Sequence, residues 1–244
     1  MTYQVVVTAG GKDTVDYLID DKVVLKHDVR VGDSRVLEKA YDAYVSHAAK
    51  KTIVIRAEAA SSIALLEILN RDSSLDVQSS STDTQGALCS ALLSIDHIDL
   101  SLPLFIVPGD SYITGDVGNL FRDFLGLEAQ AGTLLFKATG KRWSYARINK
   151  DGAILEMAEK IEISDAASTG VFYFRSGEIF IKAAEWVLLN NLRTATDFYV
   201  STAINYLAMA GHKVVGKFLE EPNVYIPLSQ PSDIVSFRSL HEKN

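Results

Sequence analysis

The chain has 244 residues, 48% of them hydrophobic, enough for one large α/β domain or two small ones around a sizeable core. Its formal net charge of −7 weighs against a broad nucleic-acid surface but leaves room for a local anion pocket. The single cysteine, Cys89, excludes an internal disulfide framework and a cysteine-rich zinc site.

Residues 1–4 do not open a basic stretch followed by a long apolar run, and no apolar run approaches the ~20 residues needed to span a bilayer. The expectation is a cytoplasmic protein without membrane contact. Gln4 to Thr8 reads as a short buried strand, with Val5-Val6-Val7 β-branched. Ala9-Gly10-Gly11-Lys12 follows. It is either an ordinary turn or a loop whose backbone N–H groups approach a phosphate, since glycine lets an anion come close. The Gly-Lys-Ser/Thr end of a P-loop is missing. Lys22 to Val31 reads as a second extended patch. Ser34 to Ala49 has helical periodicity, with Val36, Leu37, Ala40, Tyr41, Tyr44 and Val45 on one face. Thr52 to Arg56 is another buried-strand run, and Ala59 to Leu69 a second helix. Strand, loop, helix, strand, helix is the order of a parallel sheet built from βαβ units.

Residues 72–84 are polar, with Asp76-Val77-Gln78 a short strand. Thr84 is placed to N-cap a helix over Leu88 to Ser94. That helix is either an ordinary capped helix or one whose positive end faces an anion or a base edge. The run Leu104-Phe105-Ile106-Val107-Pro108 has no alternation, as in a strand buried on both faces. It stops at Pro108-Gly109, and Asp110 follows. In an open α/β sheet, ligands bind just past the carboxyl ends of the strands. A carboxylate there can hold magnesium against a phosphate, and the alternative is a plain Gly-Asp turn.

A Gly/Asp-rich turn (Gly115 to Gly118), a helix around Leu120 to Leu125 and a strand over Gly132 to Lys137 come next. Trp143 to Ile148 pairs with Ile154 to Lys160 across the Asp151-Gly152 hairpin signal. Ile163 to Gly170 is small and polar and runs into the aromatic strand Val171-Phe172-Tyr173-Phe174. Helices follow over Gly177 to Asn190 and Asp197 to Ala210, the latter ending at Gly211. Val214 to Leu219 and Val224 to Leu228 are late strands. The apolar stretch Ile179 to Leu189 is either core or a homodimer face. No repeat or linker divides the chain, so one domain is expected. His27, His47, His97, His212 and His241 show no metal-ligand spacing and read as solvated or capping residues; Lys50-Lys51 reads as a solvated helix end.

These motifs, in this order, resemble a known family. Thr84-Gln85-Gly86-Ala87, Gly109-Asp110, Trp143-Ser144-Tyr145-Ala146, Glu159-Lys160, Ile163-Ser164-Asp165, Thr169-Gly170-Val171-Phe172-Tyr173-Phe174 and Phe198-Tyr199-Val200 with Asn205 are similar to the sugar-phosphate nucleotidyltransferases of the GT-A-like type. The nearest members are the small ones of capsule and surface-polysaccharide biosynthesis. The resemblance covers residues 84–237 well and residues 1–70 loosely. It implies a single α/β domain with a mostly parallel, Rossmann-like central sheet flanked by helices, the GT-A-like nucleotide-diphospho-sugar transferase fold. Residues 1–125 would form the nucleotide-binding half and 126–244 the acceptor-binding half. The implied activity couples a nucleoside triphosphate to a small phosphorylated acceptor, with magnesium, and releases pyrophosphate.

The resemblance also implies roles. Lys26, Asp110 and Lys160 would be catalytic. Ala9, Gly10, Gly11, Lys12, Gln85, Gly86 and Gly109 would bind the nucleotide. Trp143, Glu159, Lys160, Ser168, Thr169 and Gly170 would hold the acceptor, and Asp110 and Asp233 the metal. This chain departs from the family at the first loop, which lacks an arginine, and at Lys26, which precedes His27 rather than proline. Those departures support a second reading, a non-catalytic nucleotide- or sugar-phosphate-binding relative on the same fold.

Overall fold

The computed structural model describes residues 2–11 and 17–241. Strand β1 (Gln4–Ala9) is buried along nearly its whole length, as its Val5-Val6-Val7 run requires. Two small ribbons follow, β2 (Tyr17–Ile19) with β3 (Lys22–Val24) and β4 (Arg30–Val31) with β5 (Ser34–Arg35). A 3-10 turn at Lys26–Asp28 separates them, so the extended patch expected over residues 22–31 is broken in the middle. The Asp28 carboxylate holds that turn by accepting the Ala64 N–H at 2.8 Å. Helix α1 (Val36–Val45) buries the expected face of Val36, Leu37, Ala40, Tyr41, Tyr44 and Val45. It starts late because the Glu38 carboxylate accepts the Arg35 N–H at 3.0 Å, which fixes Arg35 as the cap.

The rest of the chain runs β6 (Lys50–Arg56), α2 (Ile63–Arg71), β7 (Leu75–Ser80), α3 (Ala87–Leu92), β8 (Leu104–Pro108), β9 (Ser111–Ile113), α4 (Val117–Gly126), β10 (Ala131–Lys137), β11 (Ser144–Ile148), β12 (Ile154–Glu159), β13 (Ala166–Phe174), α5 (Gly177–Leu189), α6 (Val200–Met209), β14 (Val214–Phe218), β15 (Tyr225–Pro227) and α7 (Pro231–His241). Several expectations change. Lys50 and Lys51 open a strand, and Lys51 pairs with Asp72 at 2.5 Å. The small, polar residues before Val171 are the buried first half of β13, because their hydroxyls find partners inside the sheet. Helix α7 was not expected at all. Pro231 fits its first turn, and the Asp233 carboxylate accepts the Gln230 N–H at 2.9 Å.

Among the described residues the main sheet has nine strands in the order β12-β11-β13-β8-β1-β6-β7, with β10 beside β13 and β14 beside β10. Strands β8, β1, β6 and β7 are parallel. Strand β13 is antiparallel to its neighbours and is where the sheet forks. Its one edge carries β10 throughout, while the other pairs with β11 at Ala167 and with β8 from Phe172 to Phe174. A bulge against β10 and a Gly170 φ of +80° mark the fork. Only glycine adopts that angle at low cost.

Strand periodicity divides the core into two layers. Val5 and Val7 face Tyr41, Phe121 and Phe124 on the side of α1, α2 and α4. Val6 and Val54 face Leu88, Phe180 and Ile204 on the side of α3, α5 and α6. Phe105 and Phe121 stack at 3.8 Å between ring centres. Burying each such side chain contributes roughly 1.5–3 kcal/mol. Helix α5 buries Phe180, Ala183, Ala184 and Val187 and turns Leu189 outward. No described helix is long and apolar enough to cross a membrane.

Candidate active site

Strands β1 and β8 end side by side, and the site lies over their carboxyl ends. Gly109 makes that approach possible. Its N–H donates to the Thr8 carbonyl at 2.9 Å, and a Cβ there would sit 2.9 Å from the Ala9 methyl. A cavity of about 300 Å³ opens above, between the loop after β1, the 3-10 turn and the start of α3. Of the residues given roles by the resemblance, Ala9, Gly10, Gly11, Lys26, Gly86 and Asp110 line it. Lys12 lies outside the described residues.

Asp110 is set by the turn into β9, with its carbonyl accepting the Leu228 N–H at 2.9 Å. Its carboxylate accepts a hydrogen bond from the Lys26 Nζ at 2.8 Å, and the Lys26 side chain is only 3% exposed. Lys26 and Asp110 are 84 positions apart, so this pair exists only in the fold. His27, expected to be solvated or capping, is instead 1% exposed and lines the cavity. Burial, and then the Lys26 ammonium, pull its pKa down to about 4, so the ring is neutral near pH 7.

The α3 end of the cavity also departs from expectation. The N-cap is Gly86, at φ +94°, and Thr84 turns its hydroxyl to Ser90 at 2.6 Å. The residue at 86 must be glycine, because a Cβ would collide with the Phe198 carbonyl. The Leu88 N–H is spent on that same carbonyl at 3.1 Å. Gln85 and Gly109 are not among the lining residues. The Gln85 amide oxygen accepts from Arg193 at 3.0 Å, on the outer surface.

A second cavity of about 190 Å³ adjoins the first and shares Thr8, Ala87 and Pro108 with it. It occupies the fork between β8 and β11. The expected Trp143, Glu159, Ser168, Thr169 and Gly170 line it. Its polar groups hold one another. Glu159 accepts from Ser144 and, at 2.8 Å, from Ser201. Ser168 meets the Thr133 hydroxyl at 2.7 Å, and Thr169 donates to the Leu134 carbonyl at 3.2 Å. The Lys160 ammonium lies outside the lining, donating to the Tyr199 hydroxyl at 2.6 Å; that bond raises its pKa.

Sequence reasoning missed Arg142, Ser144, Tyr199, Ser201 and Tyr225 as lining residues. Arg142 lies 4.2 Å over the Trp143 ring and is held in place by Asp233. Its two terminal nitrogens donate to the two Asp233 oxygens at 2.9 and 2.7 Å. This is where the proposed second metal carboxylate goes: both its oxygens are committed to a guanidinium. Burial works against its charge, but the bonds from Arg142 and the Gln230 N–H hold its carboxyl below the ordinary range. The available signal was a basic residue directly before a tryptophan, and nothing local pointed to its partner 91 positions on.

Among the described residues no group of three or more His, Cys, Asp or Glu side chains is placed to hold a metal. Asp110 supplies one carboxylate beside the cavity. A single carboxylate is the smallest protein donor set magnesium uses beside a nucleotide, and one of its oxygens here already accepts from Lys26.

A family model described as "Nucleotidyl transferase" matches residues 21–242. No curated protein matches the chain. Among solved structures, the chain is similar to a nucleoside-diphosphate-sugar pyrophosphorylase from Vibrio cholerae RC9, with 16% identity, TM-score 0.76, and coverage of 96% of this chain and 98% of that one. It is similar to an inositol-1-phosphate CTP transferase from T. maritima, with 15% identity, TM-score 0.75, and coverage of 97% and 96%. A putative glucose-1-phosphate thymidylyltransferase from Bacillus anthracis gives 17% identity, TM-score 0.72, and coverage of 100% and 96%. At such identities these likenesses show the fold.

Proposed function

This chain belongs to the nucleotidyl transferase family, and from that premise we propose that it joins a nucleoside triphosphate to a small phosphorylated acceptor, a sugar phosphate in the first instance, and releases pyrophosphate. The observation that carries this reading is the pair of adjoining cavities over the ends of β1 and β8, with Lys26 and Asp110 in the first and Arg142 and Glu159 in the second. One suits an anionic nucleotide and the other a phosphorylated acceptor bearing hydroxyls.

In this reading an acceptor phosphate oxygen forms a bond to the α-phosphorus in line. The bond from that phosphorus to the β-bridging oxygen breaks, and pyrophosphate leaves with the electron pair. Such a reaction needs alignment and charge neutralisation more than covalent help. Gly10 and Gly11 leave room for the phosphates, and Lys26 supplies a buried positive charge beside them. Arg142, and Lys160 at the rim, draw in the acceptor phosphate. Glu159, fixed by two serine hydroxyls, accepts from an acceptor hydroxyl, and Trp143 offers a face for stacking. Asp110 would hold magnesium, which when bound neutralises triphosphate charge. The reaction belongs in the cytoplasm, where nucleoside triphosphates are made, and its product is an activated compound of the kind polysaccharide assembly consumes.

The test is pyrophosphate release from each common nucleoside triphosphate with a panel of sugar 1-phosphates, with and without magnesium. Magnesium-dependent release with one pair is expected. Triphosphate binding without release for any acceptor would favour the non-catalytic relative suggested by the altered first loop. Absence of both would sink the reading.

A further inference from the structure

Lys160 reaches the mouth of the second cavity at a cost. Its φ of +58° is left-handed, which a residue other than glycine adopts only with strain. It follows directly on β12, where regular alternation would send the side chains of Glu159 and Lys160 to opposite faces. Instead both meet the start of α6. The Glu159 carboxylate accepts from the Ser201 hydroxyl at 2.8 Å, and the Lys160 ammonium donates to the Tyr199 hydroxyl at 2.6 Å. Tyr199 is the N-cap residue of α6 and lines the second cavity. The start of a helix is where a cation is least favoured. Neither backbone preference nor the helix accounts for an ammonium in this place, and the Tyr199 hydroxyl is what holds it there.

The kind of partner matters. Arg142, the cation that lines this cavity, is clamped by the Asp233 carboxylate, which offsets its charge. A phenol hydroxyl is neutral, so it fixes the Lys160 ammonium and leaves its charge in place. An ammonium has three N–H groups, and the bond to Tyr199 uses one. Lys160 is exposed, so the others are open to a ligand. We propose that Tyr199 is a positioning residue, whose hydroxyl sets the Lys160 ammonium at the mouth of the second cavity so that its remaining N–H groups meet the acceptor phosphate. The inference rests on the nucleotidyl-transfer reading, which supplies that phosphate.

The experiment is steady-state kinetics of wild type, Tyr199→Phe, Lys160→Ala and the double variant with magnesium. The substrates are the nucleoside triphosphate and sugar 1-phosphate that together give pyrophosphate release. Phenylalanine keeps the ring in the cavity wall and removes only a hydroxyl at the surface, so the fold is kept. Tyr199→Phe should raise the sugar-phosphate KM about threefold, the scale of one net hydrogen bond, with kcat and the triphosphate KM within about twofold. Lys160→Ala should raise the same KM at least as much. Adding Tyr199→Phe to Lys160→Ala should change nothing further, because the hydroxyl then has no ammonium to hold. An unchanged sugar-phosphate KM in Tyr199→Phe, or an effect mainly on kcat or on the triphosphate, would overturn the proposal. So would the same threefold rise in the Lys160→Ala background, which would mean that Tyr199 touches the acceptor itself. Each of these outcomes leaves the nucleotidyl-transfer reading standing. Release with no pair of substrates would remove both.

Discussion

The two cavities share a wall but differ in how their polar groups are satisfied. In the second, the groups hold each other: Glu159 between Ser144 and Ser201, Arg142 on Asp233, and Ser168 on Thr133. In the first, the Lys26–Asp110 ion pair stands beside a fully buried histidine, with no comparable network among the described residues. A paired network keeps its geometry without ligand, so it recognises by preorganised shape. Because the first cavity holds a buried ammonium and the second is already a closed network, triphosphate is expected to stabilise this protein more than the acceptor does.

The largest test of that contrast is Lys26→Ala. It removes the buried charge and leaves Asp110 without its partner. We expect kcat to fall roughly 100- to 1,000-fold, in the range seen when one preorganised charge-stabilising donor is removed. Steady-state kinetics with both substrates varied would show it, and a fall under tenfold would break the contrast.

Next is acid stability, measured without metal or nucleotide. The folded pKa of His27 lies at about 4, below its ordinary 6.5, with Lys26 opposing its protonation and Asp110 favouring it. Between those values the unfolded chain binds the proton and the folded chain does not. Stability contributed by the neutral ring is present above about pH 6.5, is lost as pH falls, and levels off below about pH 4. The loss should be on the order of 3 kcal/mol, and denaturant melts of His27→Leu over the same range should lack it.

On the other side of the wall, Arg142→Ala should raise the acceptor KM about tenfold or more and leave triphosphate affinity within about twofold, by the usual strength of bonds to charged groups. Lys160→Ala should act in the same direction and more weakly, since its ammonium is at the rim. An effect of either variant mainly on triphosphate would reverse the assignment of the two cavities. Ser201→Ala is the smallest change. Ser144 still holds Glu159, so the acceptor KM should rise by no more than about threefold, the scale of a single modest net hydrogen bond.

Much of the frame was legible because it depends on near neighbours in the chain. The unbroken apolar runs of β1, β6 and β8 mark strands buried on both faces, and the six-residue stripe of α1 marks its core face. A carboxylate just past β8 marks the edge where an α/β sheet keeps its ligands. Glycine at Gly170, with φ +80°, reports a backbone need that other side chains meet only with strain. These features survive reading one segment at a time, since strand and helix periodicities repeat every few residues.

What only the tertiary structure decided are the pairings between distant segments. Arg142 meets Asp233 across 91 positions, Lys26 meets Asp110 across 84, and Glu159 meets Ser201 across 42. A carboxylate reads the same in sequence whether it takes one bond from a lysine beside a cavity or is clamped by both terminal nitrogens of a guanidinium. Asp233 and Asp110 therefore look alike in sequence and differ in space. A histidine after a lysine likewise carries no sign of burial until β1, β8 and the 3-10 turn close around it. The chain's local order determined which elements form and which face each buries. The meeting of segments far apart in the chain determined which polar groups pair with one another and which residues line the two cavities.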